Sequence, residues 1–215
     1  MASSLIHIAI ANEINKKIKK DKSKLLIGTI SPDISKLVGE TKIKSHFIED
    51  NDPLEIPRLD WFLIRYKDYL QDDFVLGYYI HLYVDYLWFK YFITEIENKE
   101  KYVIKLDGTK VKTTGEMFMY YLYNDYTNLN MELIDKYNLD LKIFYNEIPE
   151  IKPIIREIPM DKLYIIVNKI GEIIENSKVN KKMIFDMDNI EQFINTSIDI
   201  ILSNLKELGI YDKND

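Results

Sequence analysis

The 215-residue sequence contains no cysteine. Disulfide bonds and thiolate chemistry are therefore excluded, and any bound metal ion must be held by nitrogen and oxygen ligands. Histidine is scarce as well, with three residues in the whole chain. Lys and Arg number 29 against 35 Asp and Glu, which gives a formal net charge of −6. This balance argues against a binder of duplex nucleic acid, which requires clustered positive charge.

A secretion signal is not evident, because no basic segment precedes the first apolar run and no convincing cleavage site follows it. The apolar stretch 74–93 is long enough to be considered as a membrane span. Asp85 lies near its centre, however, where a carboxylate costs about 2.5–3.5 kcal/mol in a bilayer. His81 and Lys90 add further polar groups. We therefore expect a cytoplasmic protein without a transmembrane segment, in which 74–93 belongs to a buried central helix.

Apolar residues recur at helical spacing through most of the chain, which predicts an all-α fold. Thr113 and Glu116 have capping-box spacing, and a further short helix is expected to begin near Leu129. Asp188 is expected to cap the last helix, and Gly209 to end it. The clearest helices are predicted over residues 3–20, 57–71, 72–98, 161–176 and 188–208.

Two segments depart from the helical pattern. Near 102–112, two short strand-like runs flank Asp107-Gly108, a turn signal whose glycine accepts positive φ, which predicts a small β-hairpin. The Pro-rich stretch 146–160 is expected to connect the two C-terminal helices to the rest of the chain. The length of the chain favours a single helical domain over 1–215.

His81 and Asp85 are four positions apart in the apolar segment GYYIHLYVDYLW. Side chains at this spacing share one helix face, and a buried carboxylate needs a cation or several hydrogen-bond donors. A buried histidine is often a core residue with one hydrogen-bond partner, so the two side chains could pair with each other. A divalent ion would satisfy both, with Asp33 and His46 as further ligands from non-repetitive segments.

The ordered segments SLIHIAIA, IGTISPDIS, SHF and GYYIHLYVDYLW resemble the zinc-dependent phospholipase C superfamily, an all-α group that includes zinc-dependent single-strand nucleases. The family has a histidine in its N-terminal helix, an aspartate after a Gly-containing helix, a histidine in the following segment, and His-x-x-x-Asp on a central helix. The resemblance covers about residues 3–95 and implies a phospholipase C/nuclease-like helical bundle with its metal-site core in 1–98. The matching positions are His7, Asp33, His46, His81 and Asp85.

The resemblance also implies how these residues divide between ions. Asp33, His46, His81 and Asp85 would surround one Zn²⁺ or other divalent ion. His7 would hold a second ion, with Asp85 bridging the two.

The sequence differs from the family pattern in two respects. It begins with Met1-Ala2, whereas secreted relatives use the amine of a mature N-terminal tryptophan as a ligand. No histidine follows position 81, so the family's third ion site, built from two histidines and a glutamate, cannot be reproduced. Glu116 and Asp125 are candidate replacements. Asp125 could instead cap the helix expected near Leu129.

The chemistry expected of such a site is hydrolysis of a phosphoester, most simply a phosphodiester. A divalent ion lowers the pKa of water from 15.7 toward about 7, and a second ion can clamp the phosphate. Asp33 is the expected general base. The alternatives are a non-catalytic helical protein with a degenerate structural metal site, and an HD-type helical phosphohydrolase. The latter is built around an adjacent His-Asp pair, which this sequence lacks. Nothing in the sequence indicates the substrate or the oligomeric state.

Overall fold

The computed structural model describes residues 1–93 and 102–211. The described residues are mostly helical, with one two-stranded antiparallel sheet, which confirms the predicted fold class. The strands are β1 (Tyr102–Ile104) and β2 (Lys110–Lys112). The helices are α1 (Ser4–Ile18), α2 (Lys22–Ile30), α3 (Ile34–Leu37), α4 (Lys42–Ser45), α5 (Leu59–Tyr66), α6 (Asp73–Leu87), α7 (Gly115–Lys136), α8 (Leu163–Glu175) and α9 (Met187–Glu207).

Helix α6 is the central helix that the sequence predicts. It contacts α1, α2, α5 and α9, and almost all of its residues are buried. Asp72 caps its first turn by accepting from the backbone N–H groups of Phe74 and Val75. The helix continues into a π-helical turn, Trp88–Phe92. The prediction for residues 94–98 lies outside the described residues.

The part of the chain that the structure describes contains no helix with both the length and the apolar character needed to cross a membrane.

Helices α2 and α6 cross with their backbones in direct contact. A Cβ atom added to Gly28 would lie 2.1 Å from the carbonyl oxygen of Phe74, and one added to Gly77 would lie 2.0 Å from that of Leu25. Only glycine permits this approach, because any side chain would overlap the facing backbone. Residues 22–30 are not among the clearest helices predicted from the sequence, yet they form α2. The crossing brings the carbonyl of Thr29 next to His81.

Helix α7 is continuous where two helices were predicted. Its N-cap is Thr114, whose side chain accepts from the N–H of Met117, and not Thr113. The expected new helix start near Leu129 is wrong, because residues 115–136 form uninterrupted helical turns. A polar stretch therefore lies inside the helix and not in a loop.

Helix α9 begins with Asp186 as its N-cap, and not with Asp188 as predicted. Asp186 and Asn189 form a reciprocal capping box: each side chain accepts from the other residue's backbone N–H. Gly209 follows the helix with φ of 70°, a left-handed conformation that confirms its predicted role as the stop.

The predicted hairpin and the connector both lie near their expected positions. Val103 of β1 pairs with Val111 of β2, and Gly108 has φ of 81° in the turn between the strands. The chain between 147 and 159 has no regular secondary structure. This connector is fixed at Glu157, whose buried carboxylate accepts hydrogen bonds from Arg65 and from the hydroxyl of Tyr66, each 2.6 Å long.

Candidate metal centre

The structure brings the five residues of the sequence pattern into one cluster. His7 lies on α1, Asp33 ends the 3₁₀ turn that follows α2, His46 follows α4, and His81 and Asp85 lie on α6. Four of these side chains are buried, while that of Asp33 keeps 15% of its surface exposed. Side chains from four separate parts of the chain therefore share one buried position, open to the outside only at Asp33.

Local contacts around α4 explain the position of His46. The hydroxyl of Tyr78, on α6, donates to the carbonyl oxygen of Ser45 at 2.5 Å and so ties this segment to the central helix. Phe47 then adopts φ of 54°, which costs about 1–2 kcal/mol for a residue other than glycine. Its ring packs edge-on against Phe62 with centroids 5.3 Å apart, and this buried contact offsets the cost.

The short distances in the cluster join ring nitrogens to carboxylate oxygens and to each other. His81 Nε2 lies 3.2 Å from His46 Nε2 and 3.5 Å from Asp85 Oδ2. His46 Nε2 lies 3.6 Å from Asp33 Oδ1 and 3.7 Å from Asp85 Oδ2. His7 Nε2 lies 3.2 Å from Asp85 Oδ1, and its ring stacks on that of His81 with centroids 4.0 Å apart.

Hydrogen bonds at the Nδ1 atoms, which face away from the centre of the cluster, fix the tautomers of His81 and His46. His81 Nδ1 lies 2.7 Å from the carbonyl oxygen of Thr29, so this nitrogen carries the proton and donates it. His46 Nδ1 lies 2.9 Å from Ser45 Oγ, and Ser45 Oγ lies 3.3 Å from the carbonyl oxygen of Lys42. Since the serine hydroxyl donates to that carbonyl, it accepts from His46 Nδ1–H. In their neutral forms, both rings therefore present an Nε2 lone pair to the centre.

Two facing lone pairs at 3.2 Å do not attract each other without a cation between them. Asp33 Oδ1 and Asp85 Oδ2 add negative charge, and neither atom has a hydrogen-bond partner among the described residues. Both ring nitrogens of His7 are also without one there. Such a set of buried electron-pair donors requires a proton or a metal ion.

The spacing of these atoms fits a divalent ion. Four ligands at about 2.0–2.1 Å from a tetrahedral Zn²⁺ are about 3.3 Å apart. The separations given above for His46–His81, His46–Asp33, His46–Asp85 and His81–Asp85 range from 3.2 to 3.7 Å, and Asp33, His46 and His81 form one group whose ligand atoms all lie within 4.8 Å of one another. His7, His81 and Asp85 form a second group, whose ligand atoms all lie within 4.8 Å of one another. The donor atoms can therefore hold one ion, and a second ion beside His7.

Comparison with models of protein families, with curated proteins and with solved structures gave no match. The likeness to the phospholipase C superfamily thus rests on the five residues and their order along the chain.

The surroundings set the charges of the five groups. Burial, together with the neighbouring His81, lowers the pKa of His7 to about 4, and burial also lowers the pKa of His46. Burial opposes charge on His81 too, but its contact with Asp85 outweighs this and raises its pKa. His7 and His46 are consequently neutral near pH 7, in the form that binds a metal ion.

The two carboxyl groups of the cluster remain ionised. Burial opposes their charge, yet His46 beside Asp33 and His7 beside Asp85 hold the pKa of each well below its usual range. The backbone N–H of Ala2 also donates to Asp85 Oδ1 at 3.0 Å. An ionised carboxylate on each side of two neutral imidazoles is a ligand set that suits zinc and similar ions.

The structure does not bring the two additional candidate ligands into this cluster. Glu116 is exposed in the first turn of α7. Asp125 is buried, but its oxygens accept from the backbone N–H groups of Met183, Ile184 and Phe185 at 2.7, 2.7 and 3.1 Å. Asp125 therefore neither faces the ion position nor caps a helix. It fixes the chain segment that leads into α9.

Two groups that matter for the centre were missed by sequence reasoning. Ser45 holds the tautomer of His46, and its place directly before that histidine was a usable signal. The carbonyl of Thr29 holds the tautomer of His81, but a backbone oxygen has no signature in a sequence. Its position follows from the crossing of α2 and α6.

Proposed function

We propose that this protein is a metal-dependent phosphoester hydrolase that uses Zn²⁺ or another divalent ion. Asp33, His46, His81 and Asp85 would hold one ion, and His7 with Asp85 a second. The observation that carries the proposal is the 3.2 Å approach of two imidazole nitrogens, which in the neutral rings are lone pairs because the partners of both Nδ1 atoms place the proton there. Beside two ionised carboxylates, this arrangement favours a resident cation over a pair of ordinary core histidines.

A bound divalent ion supplies Lewis acidity toward a phosphoryl oxygen and lowers the pKa of water. The protein's own groups provide the rest. Asp33 is the cluster residue with exposed surface, so a substrate approaches from its side. Its low pKa makes it a weak proton acceptor, and we therefore expect it mainly to orient the attacking water by accepting a hydrogen bond.

Two lysines stand near Asp33 and can neutralise a phosphate. Lys36 and Lys42 line the same cavity as Asp33. Lys42 is paired with Glu55, and its ammonium group lies 5.2 Å from the ring centroid of Phe89. Within the described residues, the ammonium group of Lys36 has one hydrogen-bond partner, the sulfur of Met1 at 3.8 Å. Lys36 is thus the better candidate for binding phosphate.

A structural metal site is the second candidate. Structural zinc sites are closed by four protein ligands, and in this proposal Asp33, His46, His81 and Asp85 would supply four. The burial of His46, His81 and Asp85 favours this alternative. The exposed surface of Asp33 and the adjoining cavity favour the hydrolase.

Elemental analysis of protein purified without added metal tests the ion site. We expect the wild type to retain a divalent ion and Asp85→Asn to lose it, because the variant removes the carboxylate that lies beside all three histidines. Glu116→Gln is the matched control, since Glu116 is exposed and outside the cluster. It should keep the metal content of the wild type.

Hydrolysis of bis(p-nitrophenyl) phosphate then tests catalysis. The wild type and Glu116→Gln should cleave this diester, while Asp85→Asn should be slower by about 100-fold or more. A wild type that retains its ion but cleaves neither this diester nor the corresponding monoester would support the structural site. Absence of an ion even after incubation with Zn²⁺ would refute both candidates.

A further inference from the structure

A cavity of about 420 Å³ opens beside Asp33. This volume falls within the usual range of about 300–1,000 Å³ for small-molecule pockets. Its walls come from the N-terminal residues, the π-helical turn after α6, and helices α7 and α8. The apolar side chains include those of Trp88, Phe89, Phe118, Leu122, Ile166 and Ile173.

Two buried polar atoms belong to residues of these walls and have no partner among the described residues. They are the indole Nε1 of Trp88 and the side-chain Oδ1 of Asn130. The other polar atom of the Asn130 side chain, Nδ2, donates to Ser177 Oγ at 3.0 Å. A buried donor and a buried acceptor that stay unpaired destabilise the folded state, because each loses its hydrogen bonds to water. A ligand with one acceptor and one donor would remove this destabilisation.

The cavity wall carries charged side chains in addition to the apolar ones. Lys42 pairs with Glu55, and Lys169 pairs with Glu172. Lys36 has no carboxylate partner within the described residues. Positive charge near Asp33 is therefore available for an anionic group, while the interior accepts an uncharged one.

We propose that the cavity binds the organic group of the substrate, so that the substrate is a phosphoester of a small, largely apolar group. That group would carry an acceptor for Trp88 and a donor for Asn130, with its phosphate at Asp33 and Lys36. The inference rests on the proposed hydrolase function. Hydrolysis breaks the P–O bond to this group, joins the oxygen of water to phosphorus, and transfers a proton of that water to the released alcohol.

Binding of alkylphosphonates, which cannot be hydrolysed, tests this inference without turnover. The protein has two tryptophans, and Trp61 lies 5.0 Å from the guanidinium of Arg58, outside the cavity. A Trp61→Phe background therefore leaves Trp88 as the fluorescence reporter. In protein loaded with Zn²⁺, each methylene from methyl- to hexylphosphonate should tighten binding about threefold to fourfold.

Two neighbouring isoleucines of α8 provide a matched pair of variants. Ile173 lines the cavity, whereas Ile174 does not. Ile173→Phe should abolish the dependence on chain length and leave methylphosphonate binding unchanged. Ile174→Phe should behave like the parent protein. Equal affinity for methyl- and hexylphosphonate in the parent would overturn the inference and leave the metal site intact.

Titration of metal-free protein with 1-hexanol separates the cavity from the hydrolase proposal. A saturable change in Trp88 fluorescence, lost in Ile173→Phe, supports the cavity even if no ion binds. If hexanol produces no change, the cavity inference fails whatever the result of the metal analysis.

Discussion

At His46 and His81, the hydrogen bond on one side of the ring decides what the other side can bind. Each Nδ1–H has a fixed acceptor, the hydroxyl of Ser45 or the carbonyl of Thr29. In the neutral form of each ring, Nε2 is therefore a lone pair that points at the other ring. In a core histidine without further function, both ring nitrogens would normally have a protein or water partner.

Ser45→Ala tests the contribution of this hydrogen bond. Without the serine oxygen, His46 loses the acceptor that fixes its tautomer, and we expect the affinity for Zn²⁺ to fall by about 10- to 100-fold. Competition with a coloured chelator measures this affinity. Ser203→Ala, an exposed position on α9, should have no effect. Unchanged affinity in Ser45→Ala would show that His46 is oriented by its packing alone.

For individual residues, the sequence predicted the five side chains that the structure brings together. The two additional candidate ligands, Glu116 and Asp125, lie elsewhere. The spacing of His81 and Asp85 places them on one helix face, which the structure confirms. The failure at Asp125 has a physical reason: its partners are backbone N–H groups 58 to 60 residues further along the chain. Backbone donors leave no pattern in a sequence, so a buried carboxylate satisfied by them resembles a candidate ligand.

Among the contacts between secondary-structure elements, the crossing of α2 and α6 restricts the sequence most, because only glycine fits at positions 28 and 77. The two helices touch through Gly28 and Gly77, and the carbonyl of Thr29 at this crossing accepts from His81. Gly77 lies one helical turn before His81. The distance between the helices therefore sets the geometry of the metal centre as well as the packing of the core.

Gly77→Ala should accordingly impair both stability and metal binding. Its Cβ would lie 2.0 Å from the carbonyl oxygen of Leu25, so the helices must separate. We expect a loss of about 3 kcal/mol or more in the free energy of unfolding, measured by urea denaturation. Gly115→Ala is the control, because a Cβ there meets no atom within 4 Å. It should unfold like the wild type or be slightly more stable. A Gly77→Ala variant of normal stability would contradict this account of the crossing.

Helix α7 shows why element boundaries were harder to predict than the elements. The polar sequence around Thr127 suggested a break between two helices. In the structure, the hydroxyl of Thr127 donates to the carbonyl of Tyr123 one turn earlier at 3.0 Å, and Asn130 donates to Ser177. The polar side chains thus find partners without leaving the helix. Tertiary contacts outweigh local propensity here.

At the scale of the whole molecule, the candidate centre joins segments that are far apart in sequence. His7, Asp33 and His46 each belong to a different segment, and each has a ligand atom within 4.8 Å of one on His81 or Asp85 of α6. Helical periodicity predicts the segments one by one, but not their approach to each other. That approach was expected from the family resemblance, since spacing alone also allowed His81 and Asp85 to pair without an ion.

An ion bound by these four segments would stabilise the folded chain, because the unfolded chain does not assemble the same ligand set. A ligand present at 1,000 times its dissociation constant adds about 4.1 kcal/mol to the free energy of unfolding. We therefore expect a strong chelator to lower the urea midpoint of the wild type by a corresponding amount, and Zn²⁺ to restore it. Asp85→Asn should unfold at the same urea concentration with or without chelator. If the wild type is equally indifferent, the donors around α6 hold only protons, and His81, whose pKa is raised by Asp85, is protonated and donates its Nε2–H within the cluster.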